Sequence, residues 1–199
     1  MGSRRKKPTR SQKQGAQSRN RWTLIVIAAV IVIVIAGLGY LLFDSLRGPV
    51  APEPIAGVHE HPPQERDHVE HEIEAGPLPP VGGSHSPEWQ NCGIYDEPVS
   101  VENAVHSLEH GAMWLAYQPD LPQEDVEKLR DKVRGEDFVL MSPYPGLQSP
   151  VVLTAWELQL ELDSVDDDRI DDFVDRYQQG PTTPERGATC RDGVGTPIE

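Results

Sequence analysis

Between Trp22 and Phe43 the chain reads WTLIVIAAVIVIVIAGLGYLLF, 22 residues without a charge. As a helix such a run rises about 33 Å, close to the roughly 30 Å hydrocarbon core of a bilayer, so the length predicts a transmembrane helix over residues 22–43. Trp22 and Tyr40 stand near its two ends, where amphipathic rings favour the headgroup layer. A cleaved signal peptide has a shorter apolar region followed by a small-x-small site. Here the run is longer and GLGYLLFDSL is a poor cleavage sequence, so an uncleaved anchor is expected.

Charge divides at this run. Residues 1–21 hold eight of the eighteen Lys and Arg residues and no acid, whereas all thirty-two Asp and Glu residues follow it. The cations place the N-terminus in the cytoplasm and the remainder outside, at the plasma membrane. The basic tail 1–21 has no apolar periodicity and is expected to lack regular structure. Its cations suit topology and attraction to anionic headgroups. Nucleic acid is not an expected partner, because the acidic exterior would repel a phosphate backbone.

Residues 44–80 are rich in proline, histidine and acids and read as a linker. Residues 81–192 read as one extracytoplasmic domain and 193–199 as a tail, since the chain is too short for two sizeable cores. Cys92 and Cys190 both lie beyond the anchor. In an oxidising compartment one disulfide is the simplest reading of such a pair; metal-binding thiols are the alternative, though no C-x-x-C clustering supports them.

Within the domain, helical spacing appears in SVENAVHSLEHG, with Ser100 as N-cap and Gly111 as stop, in LPQEDVEKLRDKVRG, and in SVDDDRIDDFVDRYQQG. AMWLAY and FVLMSPYPG read as short strands and VVLTAWELQLEL as one long strand, with Thr154, Trp156, Leu158, Leu160 and Leu162 on its apolar side. A turn joins the second and third of these strands. The expected fold is therefore α+β, a partly antiparallel sheet of three to four strands with about three helices behind the single transmembrane helix.

The stretch NAVHSLEHGAMW carries the chemistry. His106 and His110 are four apart, so on a helix they lie on one face and can reach one ion; Glu109 stands beside the second. Val105, Leu108 and Met113 would anchor the helix on the core and leave the histidines at the domain edge. The bland alternative is that His106 bonds a carbonyl and His110 complements the helix C-terminus. H-x-x-E-H also matches the inverted zincin pattern, in which Glu109 would activate water, but Gly111 ends the helix where those peptidases need it to continue. Neither a nucleophile elbow nor a phosphate-binding glycine loop is present. Five of the seven histidines precede this helix: His59, His61, His68, His71 and His85. HEH and HVEH look like metal-binding fragments, yet exposed polar linkers also carry histidine; for His59, His61 and His71 the second reading is preferred.

The runs DHVEH, PPVGGSHSPEWQNCGIYDEPV, ENAVHSLEHGAMWLAYQPDLP, VLMSPYPGLQSPVVLTAWELQLELDS and QGPTTPERGATC, in this order, resemble the membrane-anchored domain of unknown function 3105 family, common in actinobacteria. The resemblance covers roughly residues 65–192. It implies that the family's signature histidines correspond to His68, His85, His106 and His110, with Glu109 between the last two, and its cysteines to Cys92 and Cys190. It thereby joins His68 and His85 to the helix pair. Met113 departs from the valine expected there and is discounted as a copper ligand. The function expected is a non-catalytic copper- or zinc-binding module with His85, His106 and His110 as principal ligands, Glu109 as ligand or orienter and His68 as accessory. One alternative is a zinc hydrolase with Glu109 as general base. Another is a cell-envelope interaction domain in which the histidines are structural.

Overall fold

In a computed structural model the chain divides into two units, Met1–Glu53 and Pro54–Glu199. The structure describes residues 10–46, 53–73 and 76–199. In the first unit, helix α1 (Arg10–Leu46) contains Trp22–Phe43, which is long and apolar enough to cross a membrane. Its large apolar residues, Ile33 and Leu41 among them, are exposed. The helix begins at Arg10, so part of the basic tail expected to lack regular structure is helical. The reason is local: a helix already nucleated over the apolar run extends at low cost into Gln, Lys, Arg and Ala, which are good helix formers. Residues 1–9 of that tail lie outside the described residues.

The second unit is built on a six-stranded mixed sheet. Its strands are β1 (His59–Glu60), β2 (Gly93–Ile94), β3 (Met113–Tyr117), β4 (Val139–Pro143), β5 (Val151–Ala155) and β6 (Leu158–Leu162), in the spatial order β1-β6-β5-β3-β4-β2. Helices α2 (Val101–Glu109), α3 (Gln123–Val133) and α4 (Arg169–Tyr177) complete the α+β architecture. Strands β2 and β3 run parallel to β4, while β5 is antiparallel to β3 and to β6, and β1 antiparallel to β6. The strands thus number more than the three to four expected. β1 and β2 contain two residues each, too few to leave a periodic signal.

VVLTAWELQLEL is not one long strand. It folds back at Trp156-Glu157, with Glu157 at φ 63°, so that Leu153 faces Leu160 and Ala155 faces Leu158. Alternation continues unbroken on both sides of a two-residue turn without Gly or Pro, which is why the sequence hides the hairpin. The turn expected after FVLMSPYPG does join β4 to β5, but β3 lies between them, so β5 finds its antiparallel partners in β3 and β6.

Each face of the sheet has its own core. On one, Leu129 and Val133 of α3 and Ile170, Phe173 and Val174 of α4 cover Met113, Leu115, Met141, Leu153 and Leu160. On the other, Ala104, Val105 and Leu108 of α2 pack on Trp114, Ala116, Leu140, Val152 and Trp156. Val105 and Leu108 are fully buried, each contributing about 1.5–3 kcal/mol by leaving water. Trp114 Nε1 donates to Ser142 Oγ at 2.9 Å, satisfying the one polar atom that the indole brings into this layer. Residues 54–73 belong to the same unit: Ile55 is buried, β1 extends the sheet, and Arg169 Nη1 donates to the Ala56 carbonyl.

Candidate metal centre

Helix α2 places the functional side chains. Ser100 caps it by accepting from the Asn103 backbone N–H, and Gly111, at φ 96°, ends it after His110. The inward face holds Val105 and Leu108, and His106, Glu109 and His110 fall on the adjoining side of the helix. That side is not the open domain edge: His106, Glu109 and His110 are 5%, 3% and 5% exposed. Segments far away in sequence cover them. The Pro-Gly loop brings in His85, fully buried, and a parallel bridge with His85 brings in His68, through Val69 N–H to the His85 carbonyl (2.7 Å) and His85 N–H to the Asp67 carbonyl (2.9 Å). Gly82 permits this approach, since a Cβ there would lie 2.9 Å from the Gln64 side chain. From the C-terminal side, residues 179–190 wrap the end of α2: Gln179 N–H donates to the Gly111 carbonyl and Glu185 N–H to the Glu109 carbonyl.

The result is a compact cluster. One donor atom from each of His68, His85, His106 and Glu109 lies within 4.8 Å of the others. The three imidazole centroids form a nearly equilateral triangle, with sides of 4.9 Å (His68–His85), 5.0 Å (His68–His106) and 4.9 Å (His85–His106). Donor atoms around a tetrahedral ion at about 2.1 Å stand about 3.4 Å apart, so the donors, now up to 4.8 Å from one another, would have to draw together to bind one. His110 lies beside the group, its ring 4.5 Å from that of His106. His59, His61 and His71 are exposed and outside it, as is Met113, which is buried in the core on the other face of the sheet.

Three histidines share one device. Nδ1 of His85 meets the Gly83 carbonyl at 2.8 Å, Nδ1 of His106 the Ser86 carbonyl at 2.7 Å, and Nδ1 of His110 the Thr189 carbonyl at 2.7 Å. A carbonyl can only accept, so each Nδ1 carries a proton, and in the neutral form of each ring the lone pair is on Nε2. The bland expectation that His106 bonds a carbonyl is thus met by one nitrogen of its ring and leaves the other to face the cluster, while the Nδ1 of His110 bonds a carbonyl outside the helix. Orientation by a backbone carbonyl is the usual arrangement behind a ligating imidazole. Burial pushes His106 down to about 4, the Ser86 carbonyl opposing and the neighbouring His110, His85 and His68 reinforcing the shift, so its ring is neutral at physiological pH.

At His85 the arrangement is incomplete. Its Nε2 is buried and has no hydrogen-bond partner among the described residues, although Glu109 Oε2 lies 2.9 Å away. The carboxylate oxygen is near but off the direction a ring N–H would take, so this close approach is not a well-aligned hydrogen bond. Glu109 Oε1 lies 3.5 Å from Arg66 Nη1. A cation shared by Nε2 and the carboxylate would satisfy both groups.

Arg66, Glu185 and Trp89 were not singled out from the sequence. The half-buried indole of Trp89 lies 5.7 Å from the His106 ring and 4.9 Å from the His110 ring, and its Nε1 donates to the Arg191 carbonyl. The three residues occur beside or within the runs quoted above, but nothing in their spacing shows that they converge. Cys92 and Cys190 form a disulfide, which holds the 189–194 segment, and with it the Thr189 and Arg191 carbonyls, against residues 89–92. Both thiols are consumed, which leaves none for a metal.

Fold and site together define a small α+β domain with a three-histidine, one-carboxylate cluster, in which His85, His106 and Glu109 are buried and His68 is exposed, preceded by a long apolar helix. The family described as "Protein of unknown function (DUF3105)" matches residues 68–192, more than half the chain, and the protein belongs to that family. Searches of curated proteins and of solved structures returned no match.

Proposed function

We propose that this protein is a non-catalytic binding module for a divalent transition metal, zinc or copper(II), anchored in the plasma membrane by α1 with its N-terminus in the cytoplasm and the α+β domain outside. The observation that carries the reading is the buried, unpartnered Nε2 of His85 facing the Glu109 carboxylate. His68, His85 and His106 would supply imidazole and Glu109 a carboxylate oxygen. That donor set suits zinc or copper(II) and contains no sulfur to favour copper(I). Four protein donors make a closed set, as in carriers and structural sites, whereas hydrolysis needs an open position for water. The basic N-terminal segment and the disulfide support the orientation.

Elemental analysis of the full chain, purified in detergent without a histidine tag and incubated with zinc or copper(II), tests the reading. About one tightly held equivalent is expected, lost in His106→Ala and in His85→Ala. Wild-type protein free of metal after both incubations would refute it and turn attention to envelope protein partners. Glu109→Gln separates the roles of that residue: a ligand variant loses affinity, whereas a general-base variant keeps metal and loses turnover.

A further inference from the structure

His110 and Glu185 are left over by the four-residue cluster. His110 is 5% exposed, its Nδ1 proton is committed to the Thr189 carbonyl, and its Nε2 stands 3.7 Å from Glu185 Oε2. That separation is too long for a hydrogen bond. It is close to the roughly 3.4 Å between two donors bound to one ion of zinc size. We infer that His110 and Glu185 form a second, outer position for a divalent cation, adjacent to the inner cluster and completed by water. This inference rests on the inner site's being a metal site.

The pair is built into the fold. Glu185 is tied to the end of α2 by its N–H bond to the Glu109 carbonyl (3.0 Å), and Gln179 Nε2 donates to the His110 carbonyl. Gly111 lets the 179–183 segment come this close, since a Cβ there would lie 2.5 Å from Gln179 Nε2 and 2.8 Å from Thr183 Cγ2. The carbonyl end of α2 lies at the same place, and its partial negative charge favours a cation. The Glu185 side chain is 51% exposed, so the outer position opens to solvent, whereas the His85 side chain is fully enclosed. The 4.5 Å between the His106 and His110 rings sets the two positions side by side. Two ions, one on mostly buried donors and one at the more open position, would suit a protein that acquires metal from dilute solution.

Equilibrium dialysis of the full chain in detergent against zinc alone, read by elemental analysis, tests the inference with wild type, Glu185→Gln, His110→Ala and His106→Ala. The wild type should bind two equivalents, the second more weakly. Glu185→Gln and His110→Ala should keep the tight equivalent and weaken the second by about tenfold or more. His106→Ala should lose the tight one. A second equivalent unchanged in both Glu185→Gln and His110→Ala overturns the outer position, as does a single equivalent indifferent to both substitutions. If His110→Ala abolishes the tight equivalent while retaining its native near-ultraviolet circular dichroism, His110 is an inner ligand and the inference fails. Glu185 is half exposed, so its variant reports even if His110→Ala fails to fold. A wild type that binds no zinc, and no copper(II) in a parallel dialysis, refutes the inner site as well, which separates the two failures.

Discussion

If the cluster binds metal in the folded state and much less in the unfolded one, metal must raise the melting temperature. The donors come from three separate stretches, around residues 68, 85 and 106–109, which only the tertiary fold assembles. An ion held by all of them therefore couples its binding free energy to folding. At free metal one hundred times the dissociation constant the stabilisation is about 2.7 kcal/mol. For a unit the size of Pro54–Glu199, 1 kcal/mol moves the midpoint by about 2–4 °C, so the expected shift is about 5–11 °C. Affinity of the unfolded chain for metal makes this an upper figure. Near-ultraviolet circular dichroism of the full chain in detergent, heated with zinc and then with excess chelator, reads the shift through the buried Trp114 and Trp156. His85→Gln should remove most of it. A shift of the same size in that variant would place the ion elsewhere, for instance on the exposed His59, His61 and His71, and no shift at saturating, demonstrably bound metal would refute the coupling.

Three further outcomes test the scaffold. Replacing both Cys92 and Cys190 by Ala opens a loop with a sequence separation of 98 residues; on the chain-entropy model this costs about 4–5 kcal/mol, measurable by urea unfolding. Leu108→Ala, which empties a fully buried position beneath the histidine helix, should cost about 2–5 kcal/mol in the same assay, and a cost under 1 kcal/mol would mean that α2 is not held as described. Asp167 accepts from the backbone N–H, Nε and Nη2 of Arg169, and the guanidinium holds its carboxyl at about 2, below its ordinary 3.8. A lowered folded value stabilises at pH above the unfolded one and is lost as pH falls between about 4 and 2. Asp167→Asn should therefore be less stable than wild type at pH 7 and match it near pH 2; a difference constant across that window would contradict the assignment.

What was legible in the sequence has a common cause. The apolar run, the caps of α2 and the apolar stripes of α3 and α4 are local patterns, each readable within about twenty residues. So were the two histidines of one helical face, because four residues on a helix fix a side-chain direction. The hairpin β5–β6 was missed because its turn lacks the residues that usually announce one. Two-residue strands carry no period at all.

The site divides along the same line. Spacing within α2 supplied His106, Glu109 and His110, and likeness of the separate runs to a known family added His68 and His85. Which of these atoms share one point in space was decided by tertiary structure alone. The parallel bridge of His68 with His85 brings both rings to His106, while the wrap of residues 179–190 over Gly111 turns His110 toward Glu185 instead. Ligation is a matter of ångströms between atoms that are far apart along the chain, and a linear pattern holds no such distance. By itself the sequence determined a long apolar helix, an acidic α+β domain and the types of donor it could offer; the fold decided that four of those donors converge on one another and that a fifth, His110, turns to Glu185 instead.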